Sequence, residues 1–264
     1  MTKVSSADGT TIAYERSGDG PPVILVGGAL ADRQLAVPYA QALSQRMTVI
    51  NYDRRGRGES GDTAPYAVDR EVEDLGVLIA QAGEWAYVCG FSSGAALAFE
   101  AAAAGLAIPK LALFEPPYRV EGGGAQLPDG YLRHLTELTS AGRGGEAIEY
   151  FMTAAVGLPA AAVAQMRQGP GWSATAALAP TLVYDSLVLG DSTAVPTARM
   201  AAMTAAALVI DSTASPDWLR QAAKATAAAL ADSRQRSLDG TFHQVPPAIL
   251  APVLIDFFIG PDEQ

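Results

Sequence analysis

The stretch WAYVCGFSSGAALAFEAAAAG, residues 85–105, constrains the fold more than any other part of the sequence. Its short apolar run is typical of a buried strand, and the alanine-rich segment that follows has the composition of a helix. Between them lies the spacing G-x-S-x-G, which allows a strand to turn into a helix so sharply that the central serine takes a strained backbone. Because Gly90 and Gly94 frame Ser92 and not Ser93, the sequence predicts a tight strand–turn–helix unit with Ser92 at its apex.

Short apolar runs alternate with helical segments along most of the chain, after a hairpin at the start. A helix-like region, residues 121–200, interrupts the alternation once. This order predicts an α/β fold, with a mostly parallel central sheet flanked by helices. We expect residues 1–120 and 201–264 to form the core, and residues 121–200 to form a helical cap or lid inserted after the sixth strand. Functional groups of such sheets gather at the carboxyl ends of the strands.

The composition narrows the choice of partners. The 264 residues carry a formal net charge of −10 without a long run of like charges, which argues against nucleic acid or an anionic membrane as a partner. The single cysteine, Cys89, allows no intrachain disulfide and fits a cytoplasmic protein, in which it is expected to be a buried core residue. We expect a small-molecule substrate, with no metal and no cofactor, and leave a homodimer open.

A serine hydroxyl becomes a nucleophile when a base takes its proton, and the chain has two histidines. His134 lies in a helical segment and is interpreted as an ordinary surface or lid histidine. His243 lies in a loop between the last strand and the last helix, where this architecture returns to the serine. We therefore expect His243 to be the base. The structural alternative is that Ser92 or Ser93 only caps the helix.

An oxyanion hole needs backbone N–H groups that point at the developing negative charge. Ser93 follows the nucleophile and is expected to supply one N–H group. Ala29, in the loop LVGGAL, is expected to supply the other, since Gly28 and its neighbour Gly27 let the backbone come close. The alternative is that the two glycines only form a tight exit from a strand.

Several side chains are candidates for binding the substrate. Met152, Trp172 and Tyr184 in the helical region are predicted to line an apolar pocket together with Gly28, although packing of the lid explains the first three equally well. Arg54 and Arg55 either bind an anionic substrate or, more commonly for such a pair, tether loops through carboxylates such as Asp53 or Glu59.

The hairpin ADGTTIAYERSGDGPPVILV, the loop YDRRGRGES, the elbow GFSSG and the late histidine resemble the α/β-hydrolase superfamily over essentially the full chain. The loop and the elbow together resemble its cofactor-free haloperoxidase and esterase branch in particular. The resemblance implies that Ser92 is the nucleophile and His243 the base. Haloalkane dehalogenases and epoxide hydrolases of this fold carry an aspartate at the elbow, so Ser92 argues against their chemistry.

The acid of a catalytic triad is missing from the place where the resemblance expects it. Ser215 occupies that position, and a serine cannot hold the negative charge that orients the histidine. Glu115 ends the preceding core strand, a position that haloalkane dehalogenases use for their acid. We favour Glu115. Asp211, Asp217 and a site without a working acid remain alternatives, although Asp217 is expected in the first turn of a helix.

These features predict a serine hydrolase that cleaves a carboxylic ester, lactone or thioester of a small apolar molecule through an acyl-enzyme on Ser92. Two alternatives stay open. The altered acid could mark a non-hydrolytic lyase or cyclase of secondary metabolism, in which His243 is a general base. The chain could also be a catalytically inactive ligand-binding module.

Overall fold

The computed structural model describes residues 1–123, 126–190 and 192–260 of the chain. One eight-stranded sheet forms its centre, with the strand order β1-β2-β4-β3-β5-β6-β7-β8. The first two strands run antiparallel to their neighbours, and all pairs from β3 onward are parallel. The strands are β1 Thr2–Ser5, β2 Thr11–Ser17, β3 Pro22–Val26, β4 Thr48–Tyr52, β5 Tyr87–Phe91, β6 Lys110–Phe114, β7 Ala206–Ala214 and β8 Ser233–Thr241.

Helices connect or cover these strands. The α-helices are α1 Val37–Leu43, α2 Val68–Ala82, α3 Ser93–Ala103, α4 Tyr131–Ser140, α5 Gly144–Tyr150, α6 Ala160–Met166, α7 Trp172–Ala177, α8 Leu182–Leu189, α9 Thr197–Ala201, α10 Asp217–Ala229 and α11 Pro247–Ile259. A π-helix, Phe151–Val156, continues directly from α5, and short 3-10 turns precede α1 and α8. No helix in the described ranges is both long and apolar enough to cross a membrane.

The core lies on both faces of the sheet. The central strands β3 and β4 are completely buried, which agrees with their β-branched composition. One apolar cluster packs side chains of α2, α3 and α10, such as Leu78, Phe99 and Ala223, against one face. The other cluster includes Leu43 of α1 and Leu254 of α11. The sheet is therefore sandwiched between two helical layers, which is the predicted α/β architecture with a mostly parallel sheet.

The interruption of the alternation corresponds to the helices α4–α9 between β6 and β7, which we call the helical segment. It has an apolar cluster of its own, centred on buried residues such as Leu135 and Leu182. Residues 131–156 form α4, α5 and the π-helix, and the glycines of the sequence AGRGGE separate α4 from α5. The boundaries 121–200 and 201–264 stay a prediction, and residues 124, 125, 191 and 261–264 lie outside the described residues.

Candidate active site

Ser92 sits at the turn between β5 and α3 with a backbone that few residues adopt. Its φ of 55° and ψ of −124° lie outside the common regions for an L-residue. The glycines on both sides allow this turn, since a Cβ atom on Gly90 would lie 2.3 Å from the carbonyl oxygen of Gly94. A Cβ atom on Gly94 would lie 2.3 Å from the carbonyl oxygen of Val26. The turn therefore requires both glycines of the G-x-S-x-G spacing.

His243 follows β8 and comes close to Glu115, the residue after β6. His243 Nδ1 lies 2.6 Å from Glu115 Oε2. The backbone N–H of His243 donates to the same oxygen at 2.9 Å. The Glu115 side chain is fully buried, while the His243 side chain is 26% exposed. The histidine can thus reach the solvent-accessible cavity while its far side faces a buried carboxylate.

Hydrogen bonds hold the Glu115 carboxylate in place from the side opposite to His243. Its Oε1 accepts from the backbone N–H of Ser212 at 2.8 Å and from the hydroxyl of Ser215 at 2.5 Å. Burial by itself would raise the pKa of Glu115, but the contacts with His243, Ser215 and Ser212 outweigh it and lower the pKa to about 2. The carboxyl group is therefore ionised at neutral pH, and the hydroxyl of Ser215, the residue after β7, donates a hydrogen bond to it.

Ser92, Glu115 and His243 are three of the six non-glycine residues with a positive φ angle among the described residues. Their φ angles are 55°, 49° and 53°, in the left-handed region that non-glycine residues rarely occupy. Such conformations cost about 1–3 kcal/mol each and persist where the surrounding structure holds them. Their coincidence at three chain-distant positions indicates a site whose geometry is imposed by the fold.

The other candidate acids lie elsewhere. Asp211 is buried in β7 and accepts hydrogen bonds from Ser237 Oγ at 2.9 Å and from Arg220 Nε at 3.2 Å. Asp217 opens α10, as the sequence predicted. His134 is half-exposed on α4, 3.6 Å from Glu137, away from the serine. Among the described residues, Glu115 is therefore the carboxylate that contacts His243.

Ser92 and His243 line one cavity of about 590 Å³, into which the carboxyl ends of the strands open. Gly28, Ala29 and Ser93, which include the two expected oxyanion donors, border the same cavity. As the first residue of α3, Ser93 has a backbone N–H without a partner inside the helix. Most of the large side chains around the cavity are apolar, namely Leu30, Leu35, Phe91, Leu127, Phe151, Met152, Leu189, Trp218 and Phe242.

Only one of the three predicted lining side chains of the helical segment borders this cavity. Met152 belongs to the π-helix and lines the wall. Trp172 is absent from the lining and packs in the apolar cluster of the helical segment, while Tyr184 stacks on Tyr66 with ring centroids 3.8 Å apart. The placement of Trp172 and Tyr184 in the pocket is therefore corrected, because their rings are used for packing.

The arginines after β4 are buried in ion pairs with carboxylates from other elements. Arg54 binds Glu71 at 2.6 Å, and Arg55 binds Asp74 at 2.8 Å. The tethering interpretation agrees with these contacts, whereas the suggested partners were wrong: Asp53 binds Arg33 at 2.5 Å, and Glu59 also contacts Arg33. Arg54 and Arg55 do not line the cavity, so neither is placed to bind an anionic substrate there.

Two residues of the site surroundings were missed by the sequence reasoning. Arg57 donates from Nη1 to the carbonyl oxygen of Gly28, in the loop of the expected oxyanion hole. Asp185 of α8 accepts from Arg57 Nη2 at 2.8 Å and from Ser93 Oγ at 2.8 Å. A signal was available, since Asp185 interrupts the otherwise apolar helix LVYDSLVL and a buried carboxylate requires a partner.

The described residues were also compared with the requirements of a metal site and of a reactive thiol. They contain no group of three histidine, cysteine, aspartate or glutamate side chains that could hold a metal ion. Cys89 is buried in β5, and its burial raises the pKa of the thiol to about 12, so it is protonated at neutral pH.

Several known proteins are similar to this chain. No protein-family model matches it. The crystal structure of an α/β hydrolase from Sphaerobacter thermophilus DSM 20745 is 50% identical in sequence, covers 97% of this chain and 100% of that one, and superposes with a TM-score of 0.92. The chain belongs to the α/β-hydrolase family.

More distant similarities agree with this assignment but carry less information. The enol-lactonase of Burkholderia xenovorans LB400 is 20% identical, covers 97% of this α/β-hydrolase and 99% of its own chain, and has a TM-score of 0.70, which shows the shared fold alone. The uncharacterized hydrolase YraK of Bacillus subtilis is 34% identical over 96 residues, 35% of each chain. The putative carbamate hydrolase RutD of Azorhizobium caulinodans is 31% identical over 131 residues, 47% of this chain and 45% of its own, so each of these two matches spans less than half of the relative's length.

Proposed function

We propose that this α/β-hydrolase is a serine hydrolase that cleaves a carboxylic ester, lactone or thioester of a small apolar molecule through an acyl-enzyme on Ser92. One observation carries the proposal. Ser92 and His243 line the same cavity, and Glu115 Oε2 lies 2.6 Å from His243 Nδ1. A nucleophile, a base and an orienting carboxylate in this order are the elements of a Ser-His-acid triad.

The first half of the reaction transfers the acyl group to the enzyme. Ser92 Oγ attacks the carbonyl carbon while His243 Nε2 accepts the hydroxyl proton, and the carbonyl electron pair moves to oxygen. The N–H groups of Ala29 and Ser93 donate to this oxyanion. When the carbonyl re-forms, the bond to the leaving oxygen or sulfur breaks. The leaving group takes the proton from His243.

The second half of the reaction releases the acyl group. His243 Nε2 takes a proton from water, and the resulting hydroxide attacks the acyl carbon of the ester with Ser92. Collapse of the second oxyanion breaks the bond to Ser92 Oγ, which recovers its proton from His243. Glu115 does not become protonated. Its charge keeps the Nδ1 proton on His243 and stabilises the imidazolium that forms in both halves.

The cavity supports the assignment of substrate class. Its volume of about 590 Å³ is in the range of sites for small organic molecules, and its large lining side chains are mainly apolar. The helical segment contributes Phe151, Met152 and Leu189 to the wall. We therefore propose that this segment acts as a cap whose side chains select the acyl or alcohol group. A cytoplasmic location and a homodimer stay predictions.

Active-site labelling tests the mechanism. A fluorophosphonate probe should label the protein once, on the peptide that contains Ser92, and should block hydrolysis of a p-nitrophenyl ester. Ser92→Ala should lose both the label and several orders of magnitude in rate. Ser93→Ala is the matched control, since it removes the neighbouring hydroxyl and should keep the label. Near-normal turnover by Ser92→Ala would refute the acyl-enzyme mechanism.

The same experiment separates the alternatives that the sequence left open. A lyase or cyclase that uses His243 as a general base would keep its activity in Ser92→Ala and lose it in His243→Gln. A ligand-binding module would remain unlabelled and would bind small apolar molecules without turnover. Labelling of Ser92 together with release of the acid product supports the hydrolase.

A further inference from the structure

A single buried carboxylate joins the helical segment to both sides of the expected oxyanion hole. Asp185 of α8 is 3% exposed and accepts a hydrogen bond from Ser93 Oγ at 2.8 Å. It accepts two more from Arg57 Nη2, at 2.8 and 2.9 Å, and one from Arg54 Nη1 at 2.8 Å. Burial by itself would raise the pKa of Asp185, but Arg57 and Arg54 lower it, so the group is charged at neutral pH.

The contact of Arg57 with the loop after β3 bears directly on the first oxyanion donor. Arg57 Nη1 donates to the carbonyl oxygen of Gly28, and Arg54 Nη1 donates to that of Gly27 at 3.2 Å. The Gly28 carbonyl and the Ala29 N–H belong to one planar trans peptide unit, so they point in opposite directions. An arginine that holds the carbonyl on one side therefore determines where the Ala29 N–H points on the other.

The contact with Ser93 bears on the second donor. Ser93 is 2% exposed, and its hydroxyl is bound to the carboxylate of Asp185 while its backbone N–H starts α3. The strained backbone of Ser92 precedes it directly. Anchoring the side chain of Ser93 limits rotation of the peptide that carries this N–H.

We propose that Asp185 is a positioning residue, which acts through Arg57 and Ser93 to orient both N–H groups of the oxyanion hole and so links the hole to the helical segment. The inference rests on the proposed function, since it requires an oxyanion to form at Ala29 and Ser93. Asp185 itself does not contact the reacting atoms. Preorganised donors act because they need no reorientation when the charge develops, so a loosened hole lowers kcat.

The negative charge of Asp185 should change kcat in the direction opposite to that of its hydrogen bonds, and this difference makes the inference testable. A carboxylate near the hole disfavours an oxyanion, so an effect of its charge alone would make Asp185→Asn faster than the parent protein. Loss of the hydrogen bonds that hold Arg57 and Ser93 would make the variant slower. The sign of the change in kcat therefore decides between positioning and direct electrostatics.

The experiment compares Asp185→Asn with Asp74→Asn. Asp74 is also a buried aspartate, 1% exposed, and it binds Arg55 of the same loop at 2.8 Å. It has no hydrogen bond to Gly27, Gly28 or Ser93 among the described residues. Both variants remove a buried carboxylate that pairs with an arginine of this loop, whereas only Asp185→Asn should change the oxyanion hole.

We expect Asp185→Asn to lower kcat for a p-nitrophenyl ester by about 10- to 100-fold, less than the loss of a whole oxyanion donor, with KM unchanged within about twofold. A trifluoromethyl ketone, which forms a tetrahedral oxyanion on the serine, should bind more weakly by a similar factor. Asp74→Asn should keep kcat within about threefold. Ser93→Ala, which removes one hydrogen bond without uncovering a charge, should lower kcat by about 3- to 10-fold and serves if Asp185→Asn does not fold.

Fluorophosphonate labelling of the parent protein separates the two possible failures. If Ser92 of the parent is labelled but Asp185→Asn or Ser93→Ala matches it in kcat and inhibitor affinity, the positioning role is refuted and the hydrolase stands. A faster Asp185→Asn also refutes it. If Ser92 of the parent is not labelled, the proposed function is refuted, and the positioning role of Asp185, which rests on it, is refuted as well.

Discussion

Replacing Glu115 with glutamine removes one charge from the candidate site and leaves the size of the side chain almost unchanged. The carboxylate accepts hydrogen bonds from Ser212 N, Ser215 Oγ and His243 N, and it faces His243 Nδ1 at 2.6 Å. A glutamine has one accepting oxygen, and its NH₂ group is a donor. In either orientation of the glutamine amide, its NH₂ group therefore faces an N–H or O–H donor of the site.

The pKa of Glu115 provides the size of the effect on stability. A decrease from 4.5 to about 2 on folding corresponds to roughly 3 kcal/mol, at about 1.4 kcal/mol for each pKa unit. Because the folded-state pKa is below the unfolded-state value, this contribution is fully present above pH 4.5 and is lost as the pH falls toward 2. The Glu115→Gln protein should therefore be less stable at pH 7 by about 3 kcal/mol, and the difference should shrink below pH 4.5.

In terms of free energy, Glu115→Gln should lower the catalytic rate more than it lowers the stability of the fold. Without the carboxylate, His243 can carry its proton on Nε2 and lose its ability to accept from Ser92. Where a triad aspartate has been changed to asparagine, kcat falls about 10⁴-fold, and we expect 10³- to 10⁴-fold here. Single-turnover acylation by a p-nitrophenyl ester at pH 7 measures the rate, and urea unfolding from pH 7 to pH 3 measures the stability.

Asp211→Asn is the matched control for this prediction. Asp211 is 1% exposed and hydrogen-bonded like Glu115, but its side-chain partners among the described residues are Ser237, Gln235 and Arg220. Its loss should lower stability and leave the acylation rate within about threefold. Acylation by Glu115→Gln within about tenfold of the parent, together with collapse in Asp211→Asn, would show that Glu115 is not the acid.

Three further substitutions test the packing around the site. Ser215→Asp should destabilise the protein, because a second carboxylate would face Glu115 where the Ser215 hydroxyl now lies 2.5 Å from Glu115 Oε1. Ser215→Asp combined with Glu115→Gln should recover part of the acylation rate that Glu115→Gln loses. Gly94→Ala should lower the free energy of unfolding in urea by about 3 kcal/mol or more, because its Cβ atom would lie 2.3 Å from a carbonyl oxygen. Gly171→Ala is the control: its Cβ atom would have nothing within 4 Å, so the free energy of unfolding should fall by less than about 1 kcal/mol. Met152→Ala should enlarge the cavity and shift the preference in a panel of p-nitrophenyl esters toward longer acyl chains; an unchanged preference would show that Met152 does not contact the acyl group.

The order of strands and helices was readable from local patterns. Buried strands such as VILV at residues 23–26 and amphipathic helices such as α2 depend on residues a few positions apart in the sequence. The helical segment was harder to predict from the sequence, because the boundaries of its helices depend on glycines and on packing against the core. Its helix α7, Trp172–Ala177, begins at the end of the stretch GPGW, residues 169–172, whose glycines and proline do not favour a helix.

By itself, the sequence determined the fold class, the elbow around Ser92 and the loop that carries His243, because a G-x-S-x-G turn and a late loop histidine are local features of the chain. Only the tertiary structure decided which carboxylate meets the histidine. Glu115 and His243 are 128 positions apart, and their contact results from the placing of β6, β7 and β8 side by side in the sheet. The same holds for Asp185, 92 positions from Ser93. The pairing of charged groups depends on which strand ends and helices are neighbours in the fold. A pattern in the linear sequence does not contain the distances between them.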